Sequence, residues 1–455
     1  MRGRNLVMFL SVMILVVAGC SKEEDCDLRH PDALLGMPAL KKGTFPESDL
    51  NLKIGDTYEY APKISSLSDV YYQWYMGDDD LGTEPRFSFK ADHSGRSKIK
   101  LELKNEVGEV VLENRIIVSG ADYTKGCLVI NEGWYGHEPG SVSYYNFADN
   151  TMEQWAFKTQ NFGTTLGLTT ESATLWKGQL YICSKQENQL TIVDPNTLYV
   201  KKSGAILPGR MIYEFIGLNE QYGIVTANGD IFRVDLNTLK AEVITTGNTW
   251  SGCGSAVVYQ GKLLLNVKGQ KLYVMEMDKL LGDLTQYTWK NQFPFTTLDV
   301  QTNGGCRFVE GKDGNVYTVE SNGKENRLVR IKPDLTLEKV LMRSDYSPAD
   351  FGSYREAAFC GTGDVFFYLA GGKIYRATFA QAAPDQPFIT DTKEGFSFYG
   401  AGIRLNPKTN ELIAVYTKTD LYDQNMIVRF DGTTGKKISE LTYNGYYFPA
   451  TVIFN

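Results

Sequence analysis

The sequence predicts an all-β fold, and two observations support this prediction. From Cys127 to the C-terminal residue Asn455, a unit of about 40–50 residues recurs seven times, and each copy contains short apolar strands separated by turns. Before these copies, residues 48–120 alternate apolar and polar positions between turns at glycines. Because a four-stranded copy cannot bury both of its faces alone, we expect the seven copies to close into a ring. The predicted fold is therefore a seven-bladed β-propeller over 121–455, preceded by a small β-sandwich over 48–120.

The N-terminal residues 1–20 have the features of a secretory signal peptide. Two arginines precede an apolar segment over 6–17, which is too short to span a membrane. The segment ends in Val-Ala-Gly-Cys, which resembles a bacterial lipobox, and this resemblance implies that Cys20 is lipidated. The acidic run at 21–25 resembles the signal that sends lipoproteins of Bacteroidota to the cell surface; a solvated tether is the alternative. We expect an outer-membrane protein that is held in the membrane only by its lipid and is exposed at the cell surface.

A tether and a small sandwich are expected between the leader and the propeller. Residues 21–47 are polar and interrupted by glycine and proline, which is typical of a tether. Within 48–120, the stretch YYQWYMGD and the strands after it resemble a PKD-like or immunoglobulin-like domain, with Trp74 in its core. The acidic run 78–80 could suggest calcium, but Gly82 does not stand where an EF-hand loop needs its glycine, so an exposed turn is expected.

Each blade of the predicted propeller begins with an innermost strand that can be assigned from the repeat. The seven assigned segments are 171–176, 213–219, 254–259, 305–311, 355–361, 399–407 and 449–455. The last segment, Pro-Ala-Thr-Val-Ile-Phe-Asn, has no blade after it. We therefore expect it to complete the blade that begins at Cys127, so that the ring closes from both ends of the propeller and hides its sheet edges.

Composition and motifs argue against several classes of function. The net charge is −7 without a basic patch, so nucleic acid is not an expected partner. Of three histidines only His137 lies in the predicted propeller, and the chain has neither a GxSxG nor a P-loop motif. The seven cysteines show no CxxC spacing and, beyond Cys20, suit buried packing positions. We therefore predict no enzyme, no cofactor and no metal; a lyase or glycosidase built on carboxylates such as Glu171 and Glu356 is the catalytic alternative.

Candidate binding residues are concentrated in the loops of one predicted rim, which enter the innermost strands or join the second and third strands. These loops are rich in aromatic side chains, which can bury a large flat ligand at low entropic cost. The alternative is that some of the rings fold inward and plug the channel, and that Arg355 forms an internal ion pair with Glu356. The predicted ligand-contacting residues are Trp134, Tyr135, His137, Arg210, Trp250, Phe295, Tyr354, Arg355, Tyr399, Tyr446 and Tyr447.

A family resemblance covers about 127–455. An apolar strand leads into Asn-Glu-Gly, a glycine-rich loop and SVSYYN, and is followed by LYICSK and LTIVDPNTL. This pattern resembles the YncE-like, DUF5074-type surface propeller lipoproteins of Bacteroidota, which are related to propellers that capture cobalamin. The resemblance implies a non-catalytic protein for nutrient capture, with a corrinoid handed to a TonB-dependent outer-membrane transporter as the best single candidate. A large, flat, amphipathic small molecule also suits the aromatic rim. A protein- or glycan-binding adhesion module is the alternative.

Overall fold

The computed structural model describes residues 36–228, 230–244, 246, 253–267, 269–302, 307–346, 359–390 and 393–455. The chain forms two compact units, and each of them is assembled from separate segments. One unit comprises the described residues up to Asp49, Thr57–Lys90 and Ile99–Asn114. The other comprises Leu50–Asp56, Ala91–Lys98 and the described residues of Arg115–Asn455.

The described strands before residue 120 form three sheets. A five-stranded sheet has the order β2-β9-β8-β5-β6, and two small sheets pair β1 with β4 and β3 with β7. Trp74 on β5 is 1% exposed, and its indole N–H donates to the carbonyl oxygen of Glu84 at 2.8 Å, so its predicted core position is confirmed. The strands are β1 Ala39–Leu40, β2 Leu50–Lys53, β3 Thr57–Tyr60, β4 Ile64–Ser65, β5 Tyr71–Met76, β6 Asp79–Gly82, β7 Phe87–Lys90, β8 Gly95–Lys104 and β9 Glu109–Ser119.

Seven further sheets follow along the described part of the chain, and each is one blade, so the predicted all-β, seven-bladed propeller is confirmed. Blade I contains β10 Gly126–Asn131, β11 Ser141–Asn146 and β12 Thr151–Glu153, and blade II contains β13 Thr170–Trp176, β14 Gln179–Ser184, β15 Leu190–Val193 and β16 Val200–Gly204. Blade III contains β17 Ile212–Gly217, β18 Tyr222–Ala227, β19 Ile231–Asp235 and β20 Ala241–Val243. Blade IV contains β21 Cys253–Tyr259, β22 Lys262–Val267, β23 Gln270–Glu276 and β24 Thr296–Thr302.

Blades V to VII continue the same order, and the described residues of blade VI supply three strands. Blade V contains β25 Val309–Glu310, β26 Val316–Ser321, β27 Asn326–Ile331 and β28 Leu337–Leu341. Blade VI contains β29 Phe359–Gly361, β30 Phe366–Ala370 and β31 Lys373–Ala377. Blade VII contains β32 Phe396–Leu405, β33 Glu411–Lys418, β34 Gln424–Asp431 and β35 Lys437–Asn444. The described residues also form two short helices, α1 Ala156–Gln160 and α2 Met277–Leu281, and a 3-10 turn at Leu284–Gln286.

Blade I is completed by a strand from the other end of the propeller. β36 (Pro449–Ile453) pairs antiparallel with β10, with Val452 opposite Val129, and takes the innermost position of the sheet β12-β11-β10-β36. The prediction that the last segment closes the ring is therefore confirmed. Closure of this kind leaves no innermost strand without a neighbouring blade.

The core lies between neighbouring blades. One cluster joins blades I and II through Ile130, Leu180 and Ile182, and another joins blades V and VI through Val319 and Phe366. All five of these side chains are fully buried, and burying a side chain of this type contributes roughly 1.5–3 kcal/mol. Packing between blades therefore sets the radius of the ring and the positions of its innermost strands.

The antiparallel order sorts the loops onto two rims. Because successive strands run in opposite directions, the loops that enter the innermost strands share one end with the loops between second and third strands; we call this end the first rim. The turns after the innermost and third strands lie on the opposite rim. Asp431 is typical of these turns, since its carboxylate accepts the N–H groups of Thr434 at 2.7 Å and Thr433 at 3.0 Å.

Candidate functional site

The first rim brings four polar side chains from three blades together, which we call the first-rim cluster. Glu132 follows β10 in blade I, Glu171 lies on β13 and Lys185 follows β14 in blade II, and Tyr399 lies on β32 in blade VII. Lys185 forms an ion pair with Glu171, whose side chain is 2% exposed. The Tyr399 hydroxyl donates to Oε2 of Glu132 at 3.0 Å, and Glu132 is 9% exposed. Two buried carboxylates are thus each matched by a donor.

Burial shifts the pKa of two members of this cluster. It lowers the pKa of Lys185, while the nearby Glu132 carboxylate acts in the opposite direction. Burial also raises the pKa of Tyr399, and the charge of Glu132 raises it further. Tyr399 therefore keeps its proton, and its hydroxyl donates a hydrogen bond to Glu132. Because hydrogen bonds are electrostatically stronger away from water, the Tyr399–Glu132 contact holds the loops of blades VII and I together, and the Lys185–Glu171 ion pair orders the loop of blade II.

Four aromatic side chains stand beside the cluster, and we call them the aromatic group. The ring of Trp134 stacks on His137 at 4.1 Å and on Tyr446 at 4.6 Å between centroids. Tyr135, the fourth member, is 64% exposed and lies close enough to Lys185 to influence its pKa. The aromatic group therefore offers exposed ring surface directly next to charged groups of fixed position.

Backbone geometry explains how the loop after β10 holds these rings. Gly133 has φ +76°, and a Cβ there would overlap with the backbone of Pro139, so this position favours glycine. The N–H groups of Glu132 and Gly133 donate to the carbonyl oxygens of Phe448 at 3.0 Å and Tyr447 at 3.1 Å. These hydrogen bonds join the loop of blade I to the loop that enters β36, and this arrangement places Trp134 against Tyr446.

Six of the eleven predicted contact residues lie at this rim in exposed or polar settings. Trp134, Tyr135, His137, Tyr446 and Tyr399 belong to the aromatic group and the first-rim cluster. Arg210 precedes β17, is exposed and forms an ion pair with Asp230 at 2.8 Å. Trp250, Tyr354 and Arg355 lie outside the described residues, as do Glu356 and Cys20.

Tyr447 corrects the prediction that it is an exposed contact. It is 5% exposed and packs in the core between blades VII and I, with its ring 5.6 Å from that of Trp155 and 5.8 Å from that of Tyr443. Its hydroxyl donates to the side chain of Gln154 at 2.9 Å. The ring therefore folds inward and serves packing, as the alternative interpretation of the rim aromatics allowed.

The predicted placement of Phe295 on the first rim is wrong. The sequence interpretation took residues 290–305 as a loop entering the next blade, but β24 occupies 296–302 as the fourth strand of blade IV. Phe295 therefore ends a third-to-fourth connection, which belongs to the opposite rim. Its ring packs edge-on against Tyr273 with centroids 4.6 Å apart.

Sequence reasoning did not single out Lys185 or Glu132 as site residues. Lys185 stands in the polar loop Ser-Lys-Gln-Glu-Asn, where a lysine is usually solvated, yet its side chain is 15% exposed. The sequence feature that could have identified Lys185 is its position directly after the second strand of blade II, next to the corresponding loop of blade I. Loops at equivalent places in adjacent blades converge on the channel mouth.

A second feature of the propeller is a cavity of about 630 Å³ in the central channel. It is lined by the C-terminal parts of the innermost strands, from Ala173–Trp176 of blade II to Val452–Phe454 of blade I, so it lies toward the opposite rim. Among the described residues, the charged side chains of the lining are Glu214, Arg307, Glu310, Arg404 and Lys408.

Three further properties concern only the described part of the chain. It contains no helix that is both long and apolar enough to cross a membrane. Among the same residues, no three His, Cys, Asp or Glu side chains are grouped so that they could hold a metal ion. Cys127, Cys183 and Cys360 are buried free thiols.

Comparison with known proteins places the propeller in a family. Residues 125–455 match DUF5074, a domain of unknown function. No curated protein sequence matches the chain. The fold is similar to the crystal structure of a quinonprotein alcohol dehydrogenase-like protein from Bacteroides thetaiotaomicron, with 26% identity, a TM-score of 0.73, and coverage of 92% of this chain and 99% of that chain.

Two other solved structures share less with the chain. PorZ, a surface component of the type-IX secretion system of Porphyromonas gingivalis, matches with 9% identity and a TM-score of 0.40 over 77% of this chain and 44% of that chain. Virginiamycin B lyase from Staphylococcus aureus matches with 13% identity and a TM-score of 0.38 over 60% and 84%. Likeness at this level carries no functional argument.

Proposed function

The chain belongs to the DUF5074 family, and from that premise we propose that it is a non-catalytic protein that captures an amphipathic small molecule on the first rim. The observation that carries the proposal is the aromatic group beside the first-rim cluster. Small-molecule sites combine apolar and aromatic surface with a few polar groups of fixed position, and both are present here within one loop neighbourhood.

The two parts of the site have different roles in this proposal. Tyr135 and Trp134, which are 64% and 39% exposed, provide ring surface that loses little conformational entropy on binding. Glu132 is buried, Lys185 and Tyr399 are half-buried, and all three are hydrogen-bonded or ion-paired, so they present oriented polar groups at the edge of that surface. A ligand with a broad apolar face and polar substituents suits this arrangement.

The leader and the family resemblance supply the biological setting of the proposal. A lipid on Cys20 anchors the chain in the outer membrane, where the propeller faces outward and takes up a nutrient. A corrinoid is the first ligand to test, because it is large, flat and amphipathic, and a TonB-dependent transporter is the partner that would receive it. The strands over 48–120 act as a PKD-like spacer between anchor and propeller.

Isothermal titration of the full chain with cyanocobalamin and cobinamide tests the proposal. We expect saturable binding that weakens about tenfold or more in Trp134→Ala and in Tyr135→Ala, since stacked ring contacts are lost. Trp289→Ala is the matched control: this tryptophan is 75% exposed but lies in the third-to-fourth connection of blade IV, on the opposite rim. Absence of heat and saturation with both corrinoids at micromolar protein would rule out a corrinoid, and an equal effect of Trp289→Ala would remove the first rim as the site.

A protein- or glycan-binding module is the second candidate, and one observation favours it. Leu421 and Tyr422, in the loop between the second and third strands of blade VII, are 60% and 48% exposed. They extend the apolar surface of the first rim beyond the aromatic group, and exposed patches of this kind mark docking sites. Capture of an outer-membrane partner that depends on Trp134 and Tyr422, without small-molecule binding, would favour this candidate. Turnover of a polysaccharide that disappears in Glu171→Gln would instead indicate a glycosidase or lyase.

A further inference from the structure

The cavity in the central channel is large enough to hold a ligand and lies away from the first rim. Its volume of about 630 Å³ is within the usual range for small-molecule sites, roughly 300–1,000 Å³. Its lining combines charged groups with apolar side chains such as Trp176, Val258 and Phe308. Neither the aromatic group nor the first-rim cluster contributes to this lining, so a ligand here would be bound independently of the first rim.

One wall of the cavity is acidic. Glu214 lies on β17 of blade III, and its Oε2 accepts the backbone N–H of Ala256 on β21 of blade IV at 3.3 Å. Its charge also contributes to raising the pKa of Cys183 on β14 of blade II, after the larger effect of burial. The carboxylate of Glu214 is therefore placed in the sector of the ring formed by blades II to IV.

The facing wall is basic. Arg307 precedes β25 of blade V, and Arg404 lies on β32 of blade VII. Burial raises the pKa of Cys360 on β29 of blade VI to about 11, and the charges of Arg404 and Arg307 both oppose this rise. Both guanidinium groups are therefore close to the same buried thiol. They occupy the sector of blades V to VII, across the channel from Glu214.

Two more charges line the cavity near its mouth. Glu310 comes after Arg307 along the chain, and Lys408 comes after Arg404, so both lie closer to the opposite rim. Both side chains are exposed. The ammonium group of Lys408 donates to the carbonyl oxygen of Asn455 at 2.6 Å. The described residues of the lining thus include three basic and two acidic side chains, and this mixture favours a ligand with separated charges of both signs.

We propose that this cavity is a second binding site, for a small zwitterion that carries a carboxylate and an ammonium group, the chemical class of amino acids and short peptides. The carboxylate is held by Arg307 and Arg404, because a guanidinium offers several N–H donors in a planar fork that matches carboxylate geometry. The ammonium group is held by Glu214 on the facing wall. The apolar lining accommodates the side chains of the ligand.

Isothermal titration of the full chain with the dipeptide alanyl-alanine tests this proposal. We expect saturable binding that weakens about tenfold or more when either the N-terminus is acetylated or the C-terminus is amidated, since each change leaves a charged group of the cavity without its counterpart. Glu214→Gln, which keeps the size and the acceptor oxygen of the side chain, should remove the penalty for N-acetylation while retaining the penalty for amidation. Arg404→Gln should have the reverse effect.

Two outcomes overturn the proposal. Absence of saturable binding by alanyl-alanine and by the free amino acids at millimolar concentration identifies the cavity as a solvent-filled channel only. Equal binding of the N-acetylated dipeptide identifies an anion site and rejects the zwitterion. Trp134→Ala on the first rim is the matched control and should leave dipeptide binding unchanged, so that failure of the first-rim site and failure of this site are distinguishable.

Discussion

The two ends of the central channel use charged side chains differently. At the first rim, Lys185 pairs with Glu171 and Tyr399 donates to Glu132, and both carboxylates are buried within the protein. Toward the opposite rim, Glu214 faces Arg307 and Arg404 across a cavity of about 630 Å³. The same ring of innermost strands thus supports a platform of fixed loops at one end and an internal space with walls of opposite charge at the other.

Within one fold, the two ends of the innermost strands therefore have different roles. At the first rim, paired side chains hold the loops in place and present oriented charge beside the aromatic group, whereas toward the opposite rim charged side chains line a cavity that a ligand can enter. If this distinction holds, changes at the first-rim cluster should mainly affect stability, and changes at the opposite end should mainly affect the shape of the cavity and the turns around it.

Lys185→Met should give the largest effect. It leaves the carboxylate of Glu171, 2% exposed, without its ammonium partner, and breaking a buried ion pair in this way costs about 3–5 kcal/mol of the free energy of unfolding. Urea unfolding followed by circular dichroism measures the loss. The double variant Lys185→Met with Glu171→Gln should recover part of it, because the uncompensated charge is gone. A loss below about 1 kcal/mol for the single variant would contradict a structural role for this pair.

Gly217→Ala should have an intermediate effect at the other end of the channel. A Cβ on Gly217 would overlap with the indole ring of Trp176, which lines the cavity, so the ring must move. Overpacking of this kind costs about 1–3 kcal/mol and should change the tryptophan fluorescence of the folded protein. Gly204→Ala is the matched control, because its Cβ would make only ordinary contact with Leu239, 3.5 Å away. Equal effects of the two substitutions would show that Trp176 does not pack on Gly217.

Asp431→Asn should have the smallest effect, and that effect should depend on pH. The backbone N–H and the hydroxyl of Thr434 lower the pKa of Asp431 in the folded state. A carboxylate with a lowered pKa contributes stability above its ordinary pKa, about 3.9, and loses this contribution as the pH falls through the folded value. The wild-type chain should therefore exceed the variant in stability at pH 7, and by a smaller margin at about pH 3. Urea midpoints at both values test this, and a difference that does not change with pH would contradict it.

Much of the fold could be predicted from the sequence because it depends on local patterns. The repeat and its turns place the innermost strands of blades II and III at β13 and β17, within one residue at their N-terminal ends. Pairing of β36 with β10 was also predictable, since a final apolar segment without a following blade leaves one position in the ring to fill. The connection over 277–295 was not, because a long insertion between third and fourth strands has the same polar, aromatic composition as a loop that enters a blade.

Part of the candidate site could be predicted for the same reason. The aromatic loops are visible in the sequence, and Trp134, Tyr135 and Tyr446 lie where the repeat places them. Whether a ring faces outward depends on its neighbours, and Tyr447, next to Tyr446, turns into the core instead. Adjacent residues of one loop thus point in opposite directions, and sequence alone does not distinguish them.

The sequence by itself determined the number of blades, the closure of the ring and most of the loops that form each rim, because strand periodicity and turn chemistry act between residues close along the chain. Only the tertiary structure decided which polar side chains meet. Glu171 reaches Lys185 because β13 and β14 pair with Thr170 opposite Ser184, and Tyr399 reaches Glu132 across 267 residues of sequence. Glu214 faces Arg307 and Arg404 because blade packing sets the width of the channel. Distances of this kind follow from the closed ring as a whole, and no single repeat contains them.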